Sequence, residues 1–155
     1  MSRSMRDAAD DTGREIDELC DSLTAAHRGY LSTLQNQLRR GCLNAAIVCV
    51  PAAFGGHLEV LQWARANDCP WDEWTSANAA WGGHLAVLQW ARANGCPWEQ
   101  LTCAYAAQGG HLETLKWART NGCPWDMLTC MWAAKSGHIE VLKWARANGC
   151  PDAYD

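Results

Sequence analysis

Long apolar runs are missing from this sequence of 155 residues. No stretch reaches the ~18 residues that suggest a membrane-spanning helix, and no apolar segment follows the basic residues at the start. The sequence therefore predicts neither a membrane span nor a secretory signal. We expect an intracellular, cytoplasmic protein.

An excess of positive charge is also missing. The chain has 13 Lys and Arg against 17 Asp and Glu, which gives a net charge of −4. Residues 1–21 account for this imbalance with seven acids and three Arg, while residues 22–155 carry ten charges of each sign. Nucleic-acid binding usually needs a basic patch, so we predict no nucleic-acid partner.

Cysteine is plentiful, with nine in the chain, but disulfide and zinc patterns are absent. An odd number of cysteines that follow a repeat period, instead of pairing locally, favours reduced thiols. The pairs Cys96 with Cys103 and Cys123 with Cys130 remain candidates for contact across a turn. No second His or CxxC pair stands at ligand spacing, so we predict no metal and no cofactor.

One unit is present in several copies, spaced 27 residues apart. Gly-Gly-His-Leu begins at Gly55, Gly82 and Gly109, and Ser136 begins the variant Ser-Gly-His-Ile. The same interval separates two further sets of residues, which are Trp63, Trp90, Trp117 and Trp144, and Cys69, Cys96, Cys123 and Cys150. Self-similarity at such a period predicts a repeat architecture.

The array reaches further back than its clearest copies. Shifting the pattern by one period shows a degenerate unit from about Asp21, in which polar residues replace Trp, as is typical of a capping repeat. We predict about five units over residues 21–155. Residues 1–20 are predicted to be a polar lead with one short helix, which Thr12 and Glu15 begin as a capping box.

Each unit is predicted to contain two helices. In the third clear copy, Thr102–Gln108 is Ala-rich and forms a first helix of about two turns, with Thr102 as its N-cap. A second, longer helix is expected over His111–Asn121, and Pro124 then forces a turn. The repeated His is expected to hydrogen-bond the helix-helix junction. Two such helices cannot bury their apolar faces alone, so the fold class is all-α, an α-solenoid.

The string TCAYAAQGGHLETLKWARTNGC closely resembles the ankyrin repeat. Its period of 27 is shorter than the ~33 residues usual in that family, and the missing residues lie where the family has its β-hairpin finger. The resemblance implies stacked ankyrin-like units without full β-hairpins and a protein-binding activity. Short arrays rich in Trp and Cys look like those of large DNA viruses and some protists.

Positions that vary between copies are candidates for binding a partner. Two such columns are three residues apart, so they share one face of the first helix, which lines the concave surface in related arrays. Aromatic residues there are typical of binding hot spots. Equally, they would fill gaps between units. The candidates are Phe54, Asn78, Trp81, Tyr105, Gln108, Trp132 and Lys135.

Two further sets of tryptophans follow the period. The set in the second helix replaces an aliphatic core position of the related family and predicts a stacked core ladder. The set in the turn either covers the helix ends or stands out as an exposed row, and it is a second group of binding candidates. Its members are Trp71, Trp98 and Trp125.

Catalysis is not expected, because every His, Cys and Asp of interest is repeated with the scaffold and none forms a singular constellation. Our leading hypothesis is a non-enzymatic, monomeric protein-interaction module that grips a protein partner on its concave first-helix face. The alternative is a structural or assembly protein of a particle or larger complex.

Overall fold

The structure, a computed structural model, describes residues 22–152. The predicted lead helix with Thr12 and Glu15 lies outside the described residues. Within them the chain is helical, with no strand. No helix of this part of the chain has the length and apolar character needed to cross a bilayer.

Helices alternate with short turns along the whole described region. Helix α1 occupies residues 22–28. The helices after it are α2 (Leu31–Arg39), α3 (Cys49–Gly55), α4 (Leu58–Ala66), α5 (Glu73–Trp81), α6 (Leu85–Ala93), α7 (Gln100–Gln108), α8 (Leu112–Thr120), α9 (Met127–Lys135) and α10 (Ile139–Ala147). A 3-10 helix, Ala45–Ile47, precedes α3. We call the odd-numbered helices first helices and the even-numbered ones second helices.

From α5 onwards the two helices of a unit are equal in length, which corrects the prediction of a longer second helix in the third clear copy, whereas α3 has seven residues against nine in α4. Both α7 and α8 have nine residues. Thr102 is not the N-cap of α7, because the helix begins two residues earlier, and Thr102 is fully buried. The acid after the turn Trp holds the cap position instead. Asp72 and Asp126 accept hydrogen bonds there from the amides of Trp74 and Leu128.

First helices pack directly on one another along the stack. The contacts run from α3 to α5, from α5 to α7 and from α7 to α9, whereas second helices of neighbouring units meet only weakly. Alanine pairs allow this close approach, since almost all of their side chains are completely buried between helices. The first helices therefore form the more closely packed of the two rows.

A stripe of aliphatic side chains between the two rows forms the core. Leu34, Leu61, Leu88 and Leu115 have no solvent-exposed surface, and each occupies the same position of its second helix. Because no unit closes its own core, burial depends on the neighbouring unit. Separation of two units would expose apolar surface on both.

The repeated Gly-Gly-His sequence joins each unit to the one before it. His84 Nε2 lies 2.9 Å from the carbonyl oxygen of Phe54 in the preceding unit. A Cβ on Gly56 would lie 2.5 Å from His84 Nδ1, and one on Gly82 would lie 2.5 Å from His84 Cδ2. The imidazole thus occupies the space that two missing side chains leave. The expected histidine hydrogen bond is present in His84, but it joins neighbouring units.

Candidate partner-binding surface

The variable first-helix positions bring aromatic rings together across the units. Ring centroids lie 5.5 Å apart between His27 and Phe54, 5.0 Å between Phe54 and Trp81, 5.3 Å between Trp81 and Tyr105, and 5.1 Å between Tyr105 and Trp132. These distances are typical of interacting aromatic pairs. We call these five residues the aromatic row.

Rings of the aromatic row contact each other and also remain accessible. Trp81 is 39% exposed, and Phe54, Tyr105 and Trp132 are half-buried. Each ring therefore packs in the gap between two first helices and still presents surface to solvent. These residues therefore fill gaps between units and also form an accessible face, so both interpretations of them apply.

A depression of about 500 Å³ lies on the first-helix face over the last units. Most of the predicted first-helix candidates line it together. The lining residues are Trp81, Tyr105, Gln108, Trp132, Lys135 and Ser136. Phe54 and Asn78 are not among them, and the Asn78 side chain donates a hydrogen bond of 2.9 Å to the carbonyl oxygen of Trp74.

Sequence reasoning missed three residues of this surface. Trp74 is 42% exposed and lies 6.4 Å from the Tyr105 ring, but it is the one aromatic among aliphatic residues in its column. His27 stands in the column of Phe54 within the degenerate unit. Ser136 replaces the first glycine of the junction. The columns of all three residues vary between copies, so scoring every variable column would have included them.

The turn tryptophans occupy a different environment, beside the second helices. In each copy an Arg guanidinium carbon lies over the indole, at 4.3 Å from Trp71 and 4.2 Å from Trp98 and Trp125. The same arginines donate to the carbonyl oxygens of the turn cysteines, for example Arg65 Nη1 to Cys69 at 2.6 Å. These rings are half-buried. Neither predicted arrangement, cover for the helix ends or a fully exposed row, therefore describes them completely.

Second-helix tryptophans contact the turn tryptophans and do not stack on each other. The centroids are 5.8 Å apart for Trp71 with Trp90 and for Trp98 with Trp117, in edge-to-face geometry. No ring contact joins neighbouring second-helix tryptophans in the described chain, so they form no stacked ladder, although each packs against the core as predicted and is half-buried. A smaller depression of about 300 Å³ lies beside these clusters, lined by Gln89, Arg92, Ala93, Trp98, Trp117 and Asn121.

The cysteines of the described chain are free thiols. A side-chain hydrogen bond to Cys103 lowers the pKa of the Cys123 thiol. Desolvation raises the pKa of Cys49 and of Cys150 to about 12. A side-chain hydrogen bond to Cys123, together with burial, also raises the pKa of Cys103. Contacts such as that of Cys103 with Cys123 join thiols 20 positions apart within one unit. They do not join the pairs that the turn spacing suggested, which are Cys96 with Cys103 and Cys123 with Cys130.

Metal-ligand groupings are not found in residues 22–152. No three His, Cys, Asp or Glu side chains of this region come close enough to hold an ion. The repeated histidines lie one to a junction, against two glycines in His57, His84 and His111 and against one in His138. Buried thiols such as Cys49 and Cys96 face backbone carbonyls. What the described residues offer is an aromatic, partly accessible surface.

Comparison with known proteins supports the architecture. No family model matches the sequence, and no curated protein matches it either. Among solved structures, the human ASB11 ankyrin repeat domain is similar, with a TM-score of 0.66 and 18% sequence identity over 83% of this chain and 69% of that domain. The chain has the ankyrin-repeat fold, which confirms the predicted α-solenoid.

Proposed function

We propose that this ankyrin-type array is a non-enzymatic protein-interaction module that holds a protein partner on its concave first-helix face. The observation that carries the proposal is the aromatic row, which runs unbroken across the units while keeping part of each ring accessible. Large aromatic side chains dominate the energy of many protein interfaces.

Restricted motion of the rings adds to this argument. Each ring of the aromatic row packs against the ring of the next unit, so little side-chain freedom remains to be lost on binding. The row also stands at positions that vary between copies, whereas the junction and core positions repeat. A surface that is preformed and whose residues differ from copy to copy suits recognition of one particular partner.

The proposal includes a cytoplasmic location and a monomeric state. Balanced charge over residues 22–155 favours a protein partner over nucleic acid. Origin in a large DNA virus or a protist stays a prediction from the short, Trp- and Cys-rich repeat.

Affinity capture from the source cell, followed by mass spectrometry, tests this function. We expect the intact chain to retain a specific partner and the double variant Trp81→Ala with Tyr105→Ala to lose it. Because both rings are partly exposed, the melting temperature of the double variant should fall by less than about 8 °C. The matched control, Gln89→Ala with Lys116→Ala on the second helices, should retain the partner.

Two outcomes would contradict the proposal. Retention of the same partner by the double variant would remove the aromatic row from the interface. Collapse of the fold in that variant would show that the rings serve the core. Circular dichroism of each variant before capture separates the two.

A role in assembly is the second candidate, and the last described unit supports it. Met127, Met131 and Ile139 are 50%, 42% and 52% exposed, whereas Ala104, the counterpart of Met131, is completely buried. Light scattering over a range of concentrations tests this role. Assembly predicts a mass that grows with concentration and a smaller growth for Met131→Glu; a strict monomer contradicts it.

A further inference from the structure

The depression of the first-helix face lies where three first helices end. Trp81, Gln108 and Lys135 are the last residues of α5, α7 and α9. The side chains of these residues line the depression together with Tyr105 and Trp132, which lie one turn earlier on α7 and α9. A ligand in the depression meets aromatic surface and the helix-end side chains together.

Lys135 gives the depression a positive charge, and no described residue neutralises this charge. It is the one charged residue among those lining the depression, and no ion pair joins it to another described residue. Acids of the neighbouring second helices are already paired, Glu113 with Lys116 at 2.9 Å and Glu140 with Lys143 at 3.0 Å.

The acid on the same helix is also engaged elsewhere. Asp126 precedes the first residue of α9 and accepts a hydrogen bond of 2.9 Å from the amide of Leu128. It lies about 13 Å along the helix from Lys135, which is beyond the screening length at physiological salt. Among residues 22–152, the lysine thus lines the depression without an acid paired to it.

The rest of the lining suits an apolar side chain flanked by backbone. Trp81, Tyr105 and Trp132 contact each other in sequence, with centroids 5.3 and 5.1 Å apart, and so form a wall of fixed shape. Gln108 and Ser136 make no side-chain hydrogen bond within the described residues, so both are available to peptide groups. A volume of about 500 Å³ accommodates a side chain with its adjoining backbone.

We infer that this depression binds an acidic peptide segment of the partner, which places an aromatic or large aliphatic side chain against Trp81, Tyr105 and Trp132 and pairs a neighbouring carboxylate with Lys135. The inference rests on the proposed function and names the chemistry of the partner. Charge complementarity selects an acidic segment, because a basic one would meet an unneutralised ammonium group.

Peptide display against the intact chain tests the inference and needs no identified partner. The probe is a library of randomised peptides of about twelve residues, selected separately on the chain and on its variants. We expect enriched peptides to carry Asp or Glu beside an aromatic or large aliphatic residue. Enrichment of basic peptides, of peptides without charge preference, or of none at all would overturn the inference.

A charge reversal then tests the role of Lys135 itself. Lys135→Glu should weaken the selected acidic peptides about ten-fold and shift a new selection towards Lys or Arg beside the apolar residue. Lys116→Glu, a matched reversal on a second helix, should change their affinity less than about two-fold. Lys135 is exposed, so both variants should fold, and circular dichroism checks that they do.

The aromatic variant separates failure of this inference from failure of the proposed function. Selected peptides that lose binding in Trp81→Ala with Tyr105→Ala, but show no acidic preference, would leave the first-helix face as the interface and reject the acidic segment. Peptides whose binding is unchanged in that variant would count against both. An unchanged affinity in Lys135→Glu would reject the pairing with Lys135 alone.

Discussion

The turn tryptophans and the tryptophans of the aromatic row differ in the contacts around their rings. A turn tryptophan such as Trp98 has a guanidinium group over one face and the edge of a second-helix indole against it, and the arrangement recurs in three copies. Trp81, in the aromatic row, has ring neighbours on both sides and no cation, and its column holds a different residue in every unit.

This difference shows that aromatic content by itself does not mark a binding surface. A residue that is the same in every copy makes contacts that recur in every unit, such as the Arg and Trp cluster in the turn. A residue that differs between copies and remains accessible is not required for those recurring contacts. The experiments below test this distinction, beginning with the junction between units.

The largest effect is expected at the junction, in Gly56→Ala. Gly56 has a φ of +76°, and a Cβ there would lie 2.5 Å from the ring of His84. Left-handed backbone strain and displacement of the imidazole should together lower the free energy of unfolding by about 3 kcal/mol. Urea unfolding measures the change.

Gly95→Ala is the matched control for the junction. Gly95 has a similar φ of +83°, but no heavy atom lies within 4 Å of its Cβ position. Only the backbone strain remains, so the loss should be about 1 kcal/mol. Equal losses in the two variants would mean that the enclosed histidine contributes nothing to the spacing of the units.

A direct comparison of the two tryptophan sets comes next. Trp98→Ala removes the contacts with Arg92 and Trp117 and should cost about 2 kcal/mol of unfolding free energy. Trp81→Ala removes a ring that is 39% exposed and should cost about 1 kcal/mol. A larger loss for Trp81 than for Trp98 would reverse the assignment of scaffold and accessible surface.

A smaller effect is expected for Cys103→Ser. The corresponding position in another unit already holds Ser76, whose hydroxyl donates a hydrogen bond of 2.7 Å to the carbonyl oxygen of Pro97. The introduced hydroxyl should find the equivalent carbonyl of Pro124, so the free energy of unfolding should change by less than about 1 kcal/mol. Ser76→Ala, which removes that bond, should cost about 1 kcal/mol.

The smallest effect concerns pH and His111. Burial lowers the pKa of His111 below its ordinary value of 6.5, against an opposing hydrogen bond to the backbone of Trp81. The folded chain therefore favours the neutral ring, and this contribution to stability is complete above pH 6.5 and is lost as the pH falls below it. Urea unfolding should show a weaker acid dependence for His111→Gln than for the unchanged chain.

The free energy of unfolding at pH about 8 serves as the reference for comparing His111→Gln with the unchanged chain. At that pH the ring is neutral in both the folded and the unfolded chain. A pH dependence that is identical in the two proteins would mean that other groups carry it. Stability that rises on acidification would contradict the direction of the pKa shift.

Much of the candidate surface could be predicted from the copies themselves. Aligning them separated the variable positions of the first helix from the repeated ones, and five of those variable positions meet at one depression. Trp74 was not predicted because one aromatic residue in a column of aliphatic residues looks like a core position in the sequence. The turn tryptophans stayed ambiguous because their environment depends on a ring from the next unit.

The period and the pairing of helices could be predicted from the sequence, because spacing and Gly-Gly pairs act through local geometry. The tertiary structure decided where each side chain finds its partner. Thr102 is buried and the histidines bond to the preceding unit because these contacts form only when units stack. Neighbouring units lie 27 residues apart in sequence, and a local pattern does not encode the orientation of one upon the other.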